Sequence, residues 1–294
     1  MLDKNIRCKI KIENVKTLHD IPYLPIQFFK TKKVISAESR NPEVVFSSSG
    51  TTGSVTSKHY VSDIKLYETS YQKAFAHFYG DIKDYCVLAL LPSYLEREGS
   101  SLIYMVDDLI KKSEHPRSGF YLNNLNDLKH MLADLELSHT KTILIWVSFA
   151  LLDLVENELP SLQNTLIMET GGMKGRRKEM IRSELHEILE KGFGVSEIHS
   201  EYGMTELLSQ AYSKGHGKFY CPPWMKVSTR DTEDPLSNQA LGKTGGINVI
   251  DLANLNSCAF IATQDLGKTY EDGSFEVLGR FDNADIRGCN LMVL

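Results

Sequence analysis

The sequence predicts an α/β fold with a mainly parallel sheet and flanking helices, followed by a small β-rich subdomain. Between residues 44 and 200, short apolar β-type runs alternate with segments whose apolar residues recur at helical spacing. That alternation is the mark of strand–helix–strand units. After about residue 215 short β-type runs are separated by Gly, Asn, Asp and Pro turns instead. No internal repeat or low-complexity linker divides the 294 residues. The chain is therefore expected to form one domain, with 1–214 as the α/β part and 215–294 as the β-rich closing part.

The elements follow in order. Residues 1–45 read as a short helical or extended lead-in interrupted by Pro22 and Pro25. A strand at 44–47 runs into the loop 48–53. A helix follows within 61–80, with Ser62 as its expected cap. Strands are expected at 86–91, 142–147, 165–169 and 195–200, and helices at 100–111, 126–137, 150–159 and 176–191. Beyond 215 the β-type runs are 224–229, 246–251, 259–263 and 274–278.

Composition excludes several classes of function. A formal charge of −5 argues against a protein built to grip phosphate backbones, so no nucleic-acid partner is expected. The longest apolar runs, 87–91 and 142–147, are too short to cross a bilayer. The first sixteen residues lack the apolar core of a secretory signal. A cytoplasmic location without stable membrane insertion is the expectation. The five cysteines are odd in number and contain no C-x-x-C pair, which argues against a disulfide framework or a zinc site.

Four motifs carry chemistry. In FSSSGTTGS, hydroxyls and small glycines after a strand make a loop that can converge on phosphate oxygens. No lysine follows its second glycine, so it is not the G-x-x-x-x-G-K-[ST] nucleotide loop. Alone, it reads equally as a flexible turn. In EYGMTE, Tyr202 offers a ring face for a base, Thr205 a phosphate donor and Glu206 a magnesium ligand; an exposed turn with capping Thr and Glu is the competing reading. In TQDLG, Asp265 at a strand end beside a glycine turn suits the two hydroxyls of a ribose, although an ordinary Asp turn fits as well. In GRFDNADIRGCN, Arg280 suits ribose or phosphate and Asp282 a hinge turn; a charged terminal turn is the alternative.

These motifs occur in the order used by the adenylate-forming superfamily of acyl-CoA synthetases, peptide-synthetase adenylation domains and luciferases, which the chain resembles over roughly 44–290. Within it the sequence looks most like the acyl-protein synthetases of the LuxE type. The short lead-in, SKHYV after the glycine loop and GGMKG before EYGMTE carry that finer likeness. The resemblance implies ATP and Mg²⁺ as cofactors and activation of a carboxylic acid, a fatty acid in the LuxE-type branch, as its acyl-adenylate. Acyl transfer to a protein thiol would follow. An acyl- or aryl-CoA ligase and a non-catalytic nucleotide- or acyl-binding module are the alternatives. Acyl acceptors would be a protein, a carrier protein or coenzyme A.

The resemblance also assigns residues. Ser48, Ser49, Gly50, Thr51, Thr52 and Gly53 would form the phosphate loop. Gly171 and Gly172 would line the adenine and acyl pocket, with Tyr202 and Gly203 on the adenine side. Thr205 and Glu206 would address phosphate and Mg²⁺, and Asp265 and Arg280 would hold the ribose. The family's loop lysine is Thr56 here, with Lys58 displaced by two positions, and Gln264 replaces the glycine before the ribose aspartate. The sequence stops six residues after the Arg-Gly pair of the fourth motif. The family's mobile C-terminal domain and its lysine are thus expected to be absent, leaving Lys174 or Lys58 as substitutes. In the LuxE-type branch the acyl group passes to a cysteine near the C-terminus. Cys289 stands at the matching place, with Arg287 nearby to favour the thiolate. A structural role for Cys289 fits equally well. The segment 90–100 would either border the acyl pocket or form a surface loop.

Overall fold

The structure, a computed structural model, describes residues 13, 15–36, 41–48, 55–91, 98–121, 125–146, 148–155, 161–171 and 182–281. The lead-in supplies a two-residue strand β1 (Leu24–Pro25) and a single helical turn α1 (Phe28–Thr31). Strands β2 (Val44–Ser47) and β3 (Lys58–Val61) form a separate antiparallel hairpin, paired from Val44↔Val61 to Ser47↔Lys58. Helix α2 (Ile64–Tyr79) is capped by Asp63, whose carboxylate accepts the Lys65 N–H at 3.1 Å. Ser62, the expected cap, is buried one residue too early for that bond.

Next come β4 (Cys86–Leu90), α3 (Ser101–Ser113), β5 (Gly119–Phe120), α4 (Leu125–Leu137), β6 (Thr142–Trp146), α5 (Ser148–Val155), β7 (Thr165–Glu169), α6 (Arg182–Phe193) and β8 (His199–Tyr202). β4, β6, β7 and β8 are neighbours in that order and pair in parallel, with β5 parallel at the edge of β4. Their near-continuous apolar runs are explained by burial on both faces. Cys86, Leu88 and Leu90 pack with Leu128, Leu132 and Leu189 on one side. Val87 and Ala89 pack with Tyr67, Tyr71 and Val106 on the other.

The second half adds β9 (Ala211–Ser213), β10 (Phe219–Tyr220), β11 (Met225–Arg230), β12 (Gly245–Asp251), β13 (Phe260–Thr269) and β14 (Phe275–Arg280). These pair antiparallel and continue the hydrogen-bonded path from β8 through β9, β10, β14, β13 and β12 to β11. The sheet thus runs without a break across residue 214. β1 pairs in parallel with β13. Phe29, Phe219, Ile247, Ile261 and Phe275 form the core of this half. The Arg230 guanidinium locks it internally, donating to the Ile247 carbonyl at 2.7 Å and the Thr263 carbonyl at 2.6 Å.

Three sequence expectations are corrected. The strand expected at 195–200 is β8, which begins only at His199 and runs into the EYGMTE motif. Its late start follows the left-handed Gly194, after which the chain bends until His199 meets Met168. The strand expected at 259–263 is β13, ten residues long. Asp265 therefore lies mid-strand rather than at a strand end, and Gly267 is a strand residue rather than a turn. A side chain at Gly267 would collide with the Glu276 carbonyl and with Ile247, so close backbone approach accounts for the glycine. Among the described residues no helix is long and apolar enough to cross a membrane.

Candidate active site

The C-terminal ends of the adjacent parallel strands β7 and β8 deliver the first set of groups. This is the edge at which open α/β sheets bind ligands. β7 ends at Glu169, whose buried carboxylate accepts the Gly171 N–H at 2.7 Å and lies 3.1 Å from Arg182 and 3.6 Å from His186. Gly171 has φ +70°, a left-handed conformation natural to glycine. Burial alone would raise the Glu169 pKa, but the Arg182 charge, followed by His186 and Ser200, outweighs it and holds the carboxyl down at about 2. A second buried acid, Glu201 on β8, behaves oppositely. Burial first, then the Glu169 charge, push it up to about 8. The two acids therefore share one negative charge at neutral pH, held by Glu169.

That division has a measurable consequence. Folded Glu201 keeps its proton up to about pH 8, whereas an unstrained carboxyl releases it near 4.5. The folded state therefore loses stability as pH rises through that window. Glu201→Gln, which stays neutral, is expected to gain on the wild type in Tm by on the order of 5 °C between pH 5 and pH 9. A gap that stays constant across this range in calorimetry would exclude a neutral Glu201.

The residues after Tyr202 are held from three directions. The Asp251 carboxylate at the end of β12 accepts the N–H groups of Leu208 at 2.7 Å and Ser209 at 3.1 Å, and the Ser209 hydroxyl at 2.5 Å. The Asn254 amide donates to the Glu206 carbonyl at 2.8 Å. From β3, buried His59 places Nδ1 2.8 Å from the Thr205 carbonyl and Nε2 3.0 Å from the Asn254 side-chain oxygen. Burial, against the hydrogen bonds to Thr205 and Asn254, pulls the His59 pKa down to about 4. At Gly203 a side chain would strike the Glu201 carboxyl and press on Gln210, so the buried Glu201 would have to shift to admit one.

His59 thus ties the hairpin that carries the phosphate-loop motif to the Thr205 backbone. His59→Ala would leave the Thr205 carbonyl without this donor and open a void beside Phe29, whose ring meets the imidazole edge-on at 5.5 Å. A loss of about 2–4 kcal/mol in urea unfolding is expected. A loss below about 0.5 kcal/mol would show that His59 does not anchor this loop.

The third set comes from the β-rich half. The Tyr202 hydroxyl donates to Asp265 at 2.8 Å. Asp265 lies opposite Arg280 in the β13–β14 pair, with the carboxylate 3.5 Å from the guanidinium Nε. Residues from three motifs, 63 and 15 positions apart, thereby form one chain of contacts. Tyr202 itself is buried, its ring meeting Phe219 and Phe275 edge-on. Its ring packing and its hydroxyl are therefore both engaged within the protein.

Ser48 sits at the start of the phosphate-loop motif and accepts the Ser57 N–H at 2.9 Å, closing the stem of the loop. Ser49, Gly50, Thr51, Thr52, Gly53, Gly172, Lys174, Asp282, Arg287 and Cys289 lie outside the described residues, as do 92–97 of the segment 90–100. The sequence reading gave no part to Glu169, Glu201, Asp251 or His59. A lone acid closing the apolar run of β7, and a histidine within SKHYV, were the available signals.

No protein-family model matches the chain, and no curated protein matches it. Solved structures do. ATP-bound MatB from Rhodopseudomonas palustris superposes with a TM-score of 0.61 at 16% identity, covering 83% of this chain and 50% of that one. An open conformation of 2-hydroxyisobutyryl-CoA ligase, in complex with 2-HIB-AMP and CoA, gives 0.66 at 11% identity and covers 94% and 68%. The O-succinylbenzoate coenzyme A synthetase MenE from Bacillus subtilis, in complex with AMP, gives 0.54 at 18% and covers 85% and 64%. The chain thus spans about half the length of the MatB structure. It has the adenylate-forming ligase fold, an α/β architecture shared with these proteins.

Proposed function

We propose that the chain binds ATP and activates a carboxylic acid as its acyl-adenylate, then passes the acyl group to a thiol. The observation that carries this reading is the contact chain Tyr202–Asp265–Arg280, which joins three separated motifs at one site on this fold. Asp265 would accept the ribose hydroxyls, with Arg280 fixing its carboxylate. The backbone at Tyr202 and Gly203, rather than the buried Tyr202 ring, would border the adenine beside Gly171 and Gly172. The loop from Ser48 to Gly53, with Thr205, would donate to phosphate oxygens. An acid carboxylate oxygen would attack the α-phosphorus, the bond to the bridging oxygen would break and pyrophosphate would leave. Such a step needs charge neutralisation and in-line placement more than acid–base groups.

The fit to magnesium is limited in kind. Among the described residues no three potential ligands cluster, so a Mg²⁺ ion would be held chiefly by the ATP phosphates and one carboxylate, that of Glu206. The ion would supply charge neutralisation.

In the second step a thiolate sulfur would attack the acyl carbon, with AMP leaving. Following the LuxE-type likeness, the acid would be fatty and the thiol that of Cys289 or another protein, with Lys174 assisting adenylation. Coenzyme A is the second reading, favoured by the CoA held in the 2-hydroxyisobutyryl-CoA ligase structure. Intact-protein mass spectrometry with ATP, Mg²⁺ and a panel of fatty and aryl acids tests both. An ATP-dependent acyl adduct lost in Cys289→Ala selects the protein thiol. Release of acyl-CoA by that same variant selects coenzyme A. Absence of both products and of ATP–pyrophosphate exchange with every acid would overturn the adenylation reading.

A further inference from the structure

The chain is acidic overall, yet one cleft on it gathers four lysines. Four ammonium side chains, Lys30, Lys32, Lys33 and Lys58, line a cavity of about 440 Å³ between α1 with its following residues and β3. Among the described residues none in its lining is acidic and none of the four lysines forms an ion pair. Thr31 and Thr56 add hydroxyl donors to the wall. Lys33 stands over the ring of Tyr60 at 5.3 Å, which holds one ammonium group in place on the cleft wall.

Like charges are not gathered into a concavity without a cost in repulsion. An occupant bearing several negative charges would remove that cost. The donor set narrows its chemistry: four cations with hydroxyl donors, and no carboxylate among the described lining residues, suit phosphate oxygens. The volume lies within the range of small-ligand sites, about 300–1,000 Å³, so it admits a diphosphate with a substituent.

Position adds an argument. β3 alternates its side chains: Lys58 and Tyr60 line the cleft, while His59 between them reaches inward to Thr205. The cleft thus lies on the outer side of the hairpin whose inner side contacts the candidate active site. Phe29, in the cleft wall, packs directly on His59.

We propose that the cleft formed by Lys30, Lys32, Lys33 and Lys58 is a binding site for a diphosphate-bearing ligand. Two sources share this chemistry: a nucleotide or its released pyrophosphate, and a phosphorylated thiol acceptor such as coenzyme A. The choice of these two sources rests on the adenylation reading, whereas occupancy of the cleft is read without any acid or turnover.

The test is lysine acetylation footprinting of the full chain by mass spectrometry, together with titration calorimetry, using pyrophosphate alone and desulfo-coenzyme A alone. Saturating ligand should slow acetylation of all four lysines at least about fivefold, while Lys83 and Lys111, which do not line the cleft, react unchanged. The triple variant K30Q/K32Q/K33Q should weaken binding at least about tenfold, and higher salt should weaken wild-type binding steeply. Tighter binding of pyrophosphate assigns the cleft to the nucleotide; tighter binding of desulfo-coenzyme A assigns it to the acceptor. The proposal is overturned if neither ligand protects the four lysines, if the triple variant binds both within twofold of wild type, or if a short DNA oligomer or an acidic peptide protects them equally well.

Discussion

Replacing Asp265 by alanine is expected to raise the KM for ATP about 10- to 100-fold in pyrophosphate exchange, with the KM for the acid changed less than about threefold. The carboxylate is almost fully enclosed and fixed from two sides, by the Tyr202 hydroxyl at 2.8 Å and by Arg280 at 3.5 Å. A carboxylate so oriented can accept two ribose hydroxyls, each such charged hydrogen bond contributing roughly 1.5–3 kcal/mol. The same substitution leaves the Tyr202 hydroxyl buried without its acceptor, a cost of about 1–3 kcal/mol to the fold. Kinetics should therefore be measured well below the variant's Tm. Asp265→Asn, which retains an oxygen for Tyr202, separates the two effects: it should recover most of the stability and little of the ATP affinity. An ATP dependence identical to wild type in the alanine variant would remove Asp265 from the nucleotide site.

The largest effect on stability is expected at Glu169. Glu169→Ala takes the counter-charge from Arg182, a close polar partner from His186 and the acceptor from the Gly171 N–H. Removing one partner of a buried ion pair costs about 3–5 kcal/mol, because the remaining charge stays desolvated. The wild-type carboxyl titrates at about 2 when folded and near 4.5 when free. Its contribution is thus complete above about pH 4.5 and is lost as the pH falls towards 2. Urea unfolding at pH 7 should show the full deficit, and the difference between variant and wild type should shrink at pH 3. A deficit under about 1 kcal/mol at pH 7 would mean that the cluster is not held together by this charge.

Much of the α/β half was legible because its strands are buried on both faces. The apolar runs now seen as β4, β6 and β7 sit within one residue of their expected bounds. Helices α3 and α4 were legible from their periodicity, and Ser100 caps α3. The β-rich half was harder for a physical reason. β13 buries Thr263, Asp265 and Thr269 on its inner face, so its alternation places polar groups inward and conceals the strand from hydrophobic patterning. β9 and β10 are three and two residues long, too short for a periodic signal. At the site, the motifs pointed to Asp265 and Arg280, which the structure brings together. The supports of that site were not legible, because Glu169 with Arg182 and His59 with Thr205 meet only through the fold, the latter pair across 146 positions.

β13 has a further consequence, for which changes of chain length the protein can absorb. Its residues point alternately in and out from Ile261 to Thr269, and Asp265 points inward. The strand pairs with β12 at Phe260–Ala262 and again at Leu266 and Gly267, with β1 at Ile261 and Ala262, and with β14 from Asp265 onward. A single residue inserted between Ala262 and Asp265 would exchange odd for even, turning the carboxylate outward and Gln264 into its place. The exposed turn around Leu236 has no such count to keep. Length variation in descendants of this sequence is thus expected to accumulate between β11 and β12, while the spacing from Ile261 to Asp265 stays fixed.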